Sequence, residues 1–156
     1  MLSLSLQPDM LQPLDYLPSE LAQRITACLE DITTPSFIFN SLLALIELQD
    51  PHAGSLSPVP LGEIQRYARN ILRVDIPERE IKRAVKLLIE QYGIAIGSAR
   101  GSAHGYFFVT TADEAELAAE PLLAEIRSLA KRCATLSPRN PYVQHLLGQM
   151  EASLGS

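Results

Sequence analysis

The chain has 156 residues, 47% of them hydrophobic and 20% charged, a globular balance that excludes an intrinsically disordered polymer. Its net charge of −5, taken as a single number, argues against a nucleic-acid partner. The two cysteines, Cys28 and Cys133, lack metal-ligand spacing and read as reduced, buried or half-buried thiols of a cytosolic protein.

The distribution of that charge points the other way. Up to Gly62 a single basic residue, Arg24, stands against seven acidic ones; from Glu63 to Gly105 eight basic residues stand against five acidic; from Tyr106 onward four stand against six. Positive charge is therefore concentrated in the middle of an acidic chain, which permits a local anion-binding face. The N-terminal stretch has no basic start and is broken by Pro8 and Pro13, so no signal peptide is expected. The longest apolar run, Phe37 to Leu48, is interrupted by Asn40, Ser41 and Glu47 and is too short and polar to span a bilayer. A cytoplasmic protein is expected.

In chain order, residues 1–17 read as irregular or weakly extended. Ser19 is placed to cap a helix with an apolar stripe of Leu21, Ile25, Cys28, Leu29 and Ile32. After the break Thr33-Thr34-Pro35, Ser36 caps a second helix, apolar on nearly every side to Leu48, as the buried centre of a domain is. Three prolines, serines and a glycine make the stretch to Pro60 a loop expected to be mobile. Helical spacing returns at Leu61, Ile64, Tyr67, Ala68 and Ile71. A turn over 73–77 follows, with Asp75 and Glu78 spaced as a capping box and Pro77 in the first turn. The helix from there to about Tyr92 carries Ile81, Ala84, Val85, Leu88 and Ile89 on one face, and Gly93 sits where a left-handed C-cap belongs. Two β-prone runs, Ile94 to Ser98 and Tyr106 to Thr110, flank a Gly/Ser-rich tip and predict a hairpin whose turn geometry uses Gly97, Gly101 and Gly105. Within Tyr106-Phe107-Phe108, strand alternation turns Phe107 to the opposite side from its neighbours. Thr111 caps a long helix to about Leu136, which Pro121 is expected to kink or restart; a last helix spans Tyr142 to about Leu154.

The expected fold is mainly α with a small β-hairpin: an N-terminal extension at 1–35, a winged helix-turn-helix at 36–111, and C-terminal helices at 112–156. On the helix at 77–92, Arg79, Lys82, Arg83 and Lys86 follow three- and four-residue steps opposite Ile81, Val85 and Leu88. Such a polar face fits the major groove. Arg66, Arg69 and Arg73 carry a similar spacing on the preceding helix, where Arg66 and Arg69 would meet phosphates, as would Arg100 in the 99–105 wing.

The run Ile76-Pro77-Glu78-Arg79-Glu80-Ile81-Lys82-Arg83-Ala84-Val85, with Tyr92-Gly93-Ile94-Ala95-Ile96-Gly97-Ser98 and Gly105-Tyr106-Phe107-Phe108-Val109, resembles the winged helix-turn-helix domains of phage-associated and bacterial DNA-binding proteins. The resemblance covers residues 61–111 and implies a non-enzymatic double-stranded DNA-binding protein, a transcriptional regulator or phage-type replication factor. It departs from that pattern at Pro77, where such helices begin with Ser or Thr, and nothing before residue 36 or after 111 is matched.

Other chemistry finds little footing. The glycines form neither a dinucleotide fingerprint nor a P-loop. His52, His104 and His145 are scattered, so no metal or cofactor is expected. No nucleophile has a base at motif spacing, so no enzyme is expected. The stripe can also be read as a merely solvated helix face, since Glu78, Glu80 and Glu90 interleave with it; the competing function is a winged-helix protein-interaction adaptor without DNA binding, for which the acidic flanks argue. Leu117, Leu122, Ile126, Leu129 and Cys133 on the C-terminal helix either pack back on the domain or form a homodimer; a two-fold pair suits a palindromic site.

Overall fold

The computed structural model describes residues 14–102 and 104–155, with side chains to 152. Most of the stretch expected to be irregular, 1–13, and position 103 in the wing tip lie outside the described residues. The protein is mainly helical with one two-stranded antiparallel hairpin. Its elements are α1 (Ser19–Glu30), α2 (Ser36–Gln49), α3 (Leu61–Tyr67) with a π turn (Ala68–Leu72), α4 (Glu78–Glu90), β1 (Ile96–Ala99), β2 (Gly105–Phe108), α5 (Ala112–Leu136) and α6 (Pro141–Gly155). They fall into two compact units, one closing at Ala118 and one starting at Ala119.

The first unit is built around α2. Ile38, Leu42, Ala44, Leu45 and Ile46 are buried, so the all-round apolar helix is central as its composition requires. Helices α3 and α4 and strand β2 pack against it. The N-terminal segment shares this core: Leu14, Leu17, Leu21, Ile25, Cys28 and Leu29 belong to the same buried cluster as the residues of α2 and α4. The Tyr16 hydroxyl donates to the Ile46 carbonyl at 2.6 Å. Burial and the nearby Asp50 and Glu47 carboxylates push that phenol well up, which keeps it a donor.

Several local expectations are corrected. Pro18 and Pro35, not Ser19 and Ser36, occupy the N-cap positions, and neither serine caps its helix. Proline's fixed φ pre-sets the turn into the helix, so the serine falls one residue inside. Pro77 does the same for α4; no capping box forms, and Asp75 pairs with Arg69 instead. Ile71, expected in the core, is 61% exposed. The π turn explains it: a wider turn rotates the residues after Ala68 out of α-helical phase, and the Val74 amide closes back onto the Ala68 carbonyl at 3.0 Å. Ile89 is also partly outside, at 40% exposure.

The loop expected to be mobile is tied down at both ends. Gln49, only 1% exposed, accepts from the Gly54 amide at 2.9 Å and the Phe108 amide at 3.0 Å, and donates to the Ser57 carbonyl. Val59 then exchanges both backbone hydrogen bonds with Tyr106, each 2.8 Å. Tyr106 and Phe108 are alternate residues on one strand, so both turn their amides to the same side. Val59 and Gln49 together therefore cover the edge of β2 that β1 leaves open. Beyond the hairpin, Thr111 caps α5 as expected, accepting from the Glu114 amide at 3.1 Å. Glu114 in turn accepts from the Thr110 amide at 2.9 Å and from the Ser55 amide. Burial opposes ionisation of Glu114, but the hydrogen bonds from Ser55 and Thr110 outweigh it and hold the carboxyl at about 2.

Among the hairpin glycines, Gly101 takes the turn as expected at φ +93°, whereas Gly97 and Gly105 serve close approach. Gly97 lies within β1, where an added Cβ would collide with the Phe107 ring. Phe107 is fully buried yet separate from the main core that holds Phe108, so the expected alternation is present. Gly105 combines φ +144° with an absent Cβ that would lie 2.6 Å from the Val59 oxygen and 2.7 Å from the Pro60 nitrogen.

In the second unit α5 continues through Pro121 without a restart, and α6 follows the break at 137–140. Asn140 caps α6, accepting from the Tyr142 amide at 2.9 Å.

Three outcomes follow for stability. Gly105→Ala should cost about 3 kcal/mol or more in denaturant unfolding, while Gly62→Ala, in an open helical position, should be neutral or stabilising by under about 1 kcal/mol. Gln49→Leu should cost about 3 kcal/mol, because it strands buried backbone amides at Gly54 and Phe108. Because the folded Glu114 carboxyl sits below its unfolded value of 4.5, its contribution is present above pH 4.5 and lost as pH falls toward about 2. Urea titrations across that range should show a shallower loss for Glu114→Gln than for the native chain.

Candidate nucleic-acid interface

Helix α4 separates its residues cleanly. Ile81, Ala84 and Leu88 are buried and Val85 is half-buried. At about 3.6 residues per turn, Arg79, Arg83 and Lys86 fall on the opposite side and Lys82 on its edge. All four are exposed. Glu90 falls on the same outward line, so the basic run ends there at the helix C-terminus.

The cations differ in what they already touch. Lys82 Nζ lies 3.2 Å from Glu78 Oε1, one helical turn away, and Arg69 Nε lies 2.9 Å from Asp75 Oδ1. Both are exposed pairs of small energetic value. Arg83 has its guanidinium carbon 5.5 Å from the centroid of the Phe37 ring, at the start of α2. Among the described residues no carboxylate pairs with Arg79, Lys86, Arg66 or Arg100. Arg66 and Arg69 are exposed on α3 and its π turn. The spacing that aligned them with Arg73 does not hold, because the π turn intervenes and Arg73 itself sits in the left-handed region at φ 61°.

The end of α4 is fixed by a residue from the acidic N-terminal third. Gly93 adopts φ +66°, as expected of a C-cap, and the Ile94 amide donates to the Leu88 carbonyl at 2.9 Å. Arg24 on α1 donates to the Gly93 carbonyl at 2.8 Å and holds Glu20 at 2.8 Å. Its charge lies at the negative end of the helix dipole. Spacing within the chain gives no sign of this contact, which spans 69 positions.

The hairpin stands beside the Lys82 edge. Burial pushes the Tyr106 phenol up, the Lys82 ammonium pulls it the other way, and the Glu78 carboxylate reinforces burial. The register pairs Ile96 with Phe108 and Ala99 with Gly105, leaving 100–104 as the tip. Arg100, Gly101, Ser102 and His104 are exposed there. The arrangement offers an anion a helix face with two unpaired cations, two loosely paired or stacked ones beside them, and a further guanidinium on a flanking tip.

On α5, Leu122 is 58% exposed, Ile126 44% and Leu129 42%. Cys28 is buried, but Cys133, expected to be at least half-buried, is exposed on this helix; both thiols are free. Among the described residues no helix is long and apolar enough to cross a membrane. No family model, no curated protein and no solved structure matches this chain.

Proposed function

We propose that residues 36–111 act as a winged helix-turn-helix that binds double-stranded DNA and performs no chemistry, as in a transcriptional regulator or phage-type factor. The observation that carries the reading is the outward face of α4, where Arg79 and Lys86 are exposed and unpaired opposite the buried Ile81, Ala84 and Leu88. An α-helix presented this way fits the major groove, and a guanidinium there can take both acceptors of a guanine edge. Arg66 and Arg69 on the preceding helix and Arg100 on the tip are the phosphate contacts of this reading, with Lys82 and Arg83 on the rims of the groove. Lys82 and Arg69 would exchange their exposed carboxylate partners for phosphate at little cost.

A second reading, a protein-interaction adaptor, is favoured by the exposed Ile71 on the π turn and Ile89 on α4.

Fluorescence anisotropy with duplex DNA over a salt series separates the two. The DNA reading expects affinity to fall steeply with salt, with Arg79→Ala and Lys86→Ala each weakening binding and lowering the logarithmic salt slope by about 1. Arg139→Ala, outside the face, should change nothing. Absence of any duplex binding at low salt overturns the reading and leaves the adaptor.

A further inference from the structure

The exposed side chains of α5 are ordered. Leu122, Ile126, Leu129, Cys133 and Leu136 follow alternating steps of four and three, the heptad seam of a helix that packs against another helix. Ile126 and Cys133 occupy the a positions, and Leu122, Leu129 and Leu136 the d positions. Every one of the five is exposed, Leu136 to 85%. Pro121 occupies an outward heptad position, clear of the seam.

The residues flanking the seam identify the occupant. Glu125 and Arg132 are the g positions; Leu123 and Ala130 are e positions. In a parallel pair Glu125 would face Ala130, Arg132 would face Ser137, and no charge would be matched. In an antiparallel pair of identical helices g faces g and e faces e. Centring that pair between Arg127 and Ser128 sets Ile126 against Leu129 of the second copy and Cys133 against Leu122. The same register places Glu125 against Arg132 twice, on the flank away from Ala130, which is already buried at 4% exposure. Glu125 and Arg132 are two turns apart, about 10 Å along their own helix, and cannot pair within it. Neither has an ion-pair partner among the described residues.

We infer that α5 is the dimerisation element of this protein and that it pairs with a second copy of itself as an antiparallel two-stranded coiled coil, locked in register by reciprocal Glu125–Arg132 ion pairs. The pairing rests on α5 alone and does not depend on DNA binding.

Sedimentation equilibrium of the full chain under reducing conditions should show a dimer, and Ile126→Asp a monomer. Arg132→Glu should weaken dimerisation about tenfold, and adding Glu125→Arg to it should restore affinity to within about threefold. That rescue keeps the test decisive if Ile126→Asp fails to fold. Mild oxidation should crosslink Leu122→Cys through the introduced thiol and Cys133 of the second copy. The native chain should not crosslink, since its two Cys133 thiols lie about 16 Å apart along the axis. A monomeric native chain overturns the inference and leaves the seam to a different protein. A native Cys133–Cys133 crosslink, or a double reversal no tighter than Arg132→Glu, overturns the antiparallel register.

Discussion

The first unit depends on one buried carboxamide. Gln49 closes α2, and its side chain meets backbone groups of Gly54, Ser57 and Phe108. A primary amide is suited to this position because it carries donor and acceptor in one plane and no charge that burial would penalise. It links the central helix, the loop after it and the returning strand of the hairpin. With the Ser55–Glu114 hydrogen bond, it holds the loop so that Val59 lies alongside Tyr106 and covers an edge that would otherwise be open.

That constraint reaches the candidate interface through geometry. Val59 leads directly through Pro60 into α3, so the register of Val59 on β2 also sets where α3 begins. The hairpin and the two helices before it are thus referred to a common frame. Arg24 closes the frame from the other side by holding the C-terminus of α4. The basic face is displayed by packing on its reverse side; none of its cations is buried.

Much of this was legible in the chain. The apolar periodicity of α4 located its core face, and Gly93 marked its end, because both signals are local. The signals that failed were those where two local options compete. Ser36 and Pro35 both suit a helix start, and the rigid proline prevailed. Ile71 continued an α-helical stripe, but periodicity assumes a constant turn, and the π turn breaks that assumption. Gln49 and Glu114 were unmarked because their partners are distant or lie in loops. A polar residue after an apolar run looks like a helix end until the strand 59 positions away is in place. Among the candidate site residues, exposure followed from spacing, whereas the division into paired, stacked and unpaired cations required coordinates.

The stacking of Arg83 on Phe37 has a thermodynamic consequence. A long, freely rotating side chain loses conformational freedom when it is immobilised against a ligand, and that loss subtracts from affinity. A guanidinium already resting on an aromatic face has given up part of that freedom, and part of its hydration, before any ligand arrives. Arg79 and Lys86 have no ion-pair or aromatic partner among the described residues, so the same contact made by Arg83 would carry a smaller entropic penalty. A surface that mixes one braced cation with unbraced ones can set orientation with the first and adapt with the others.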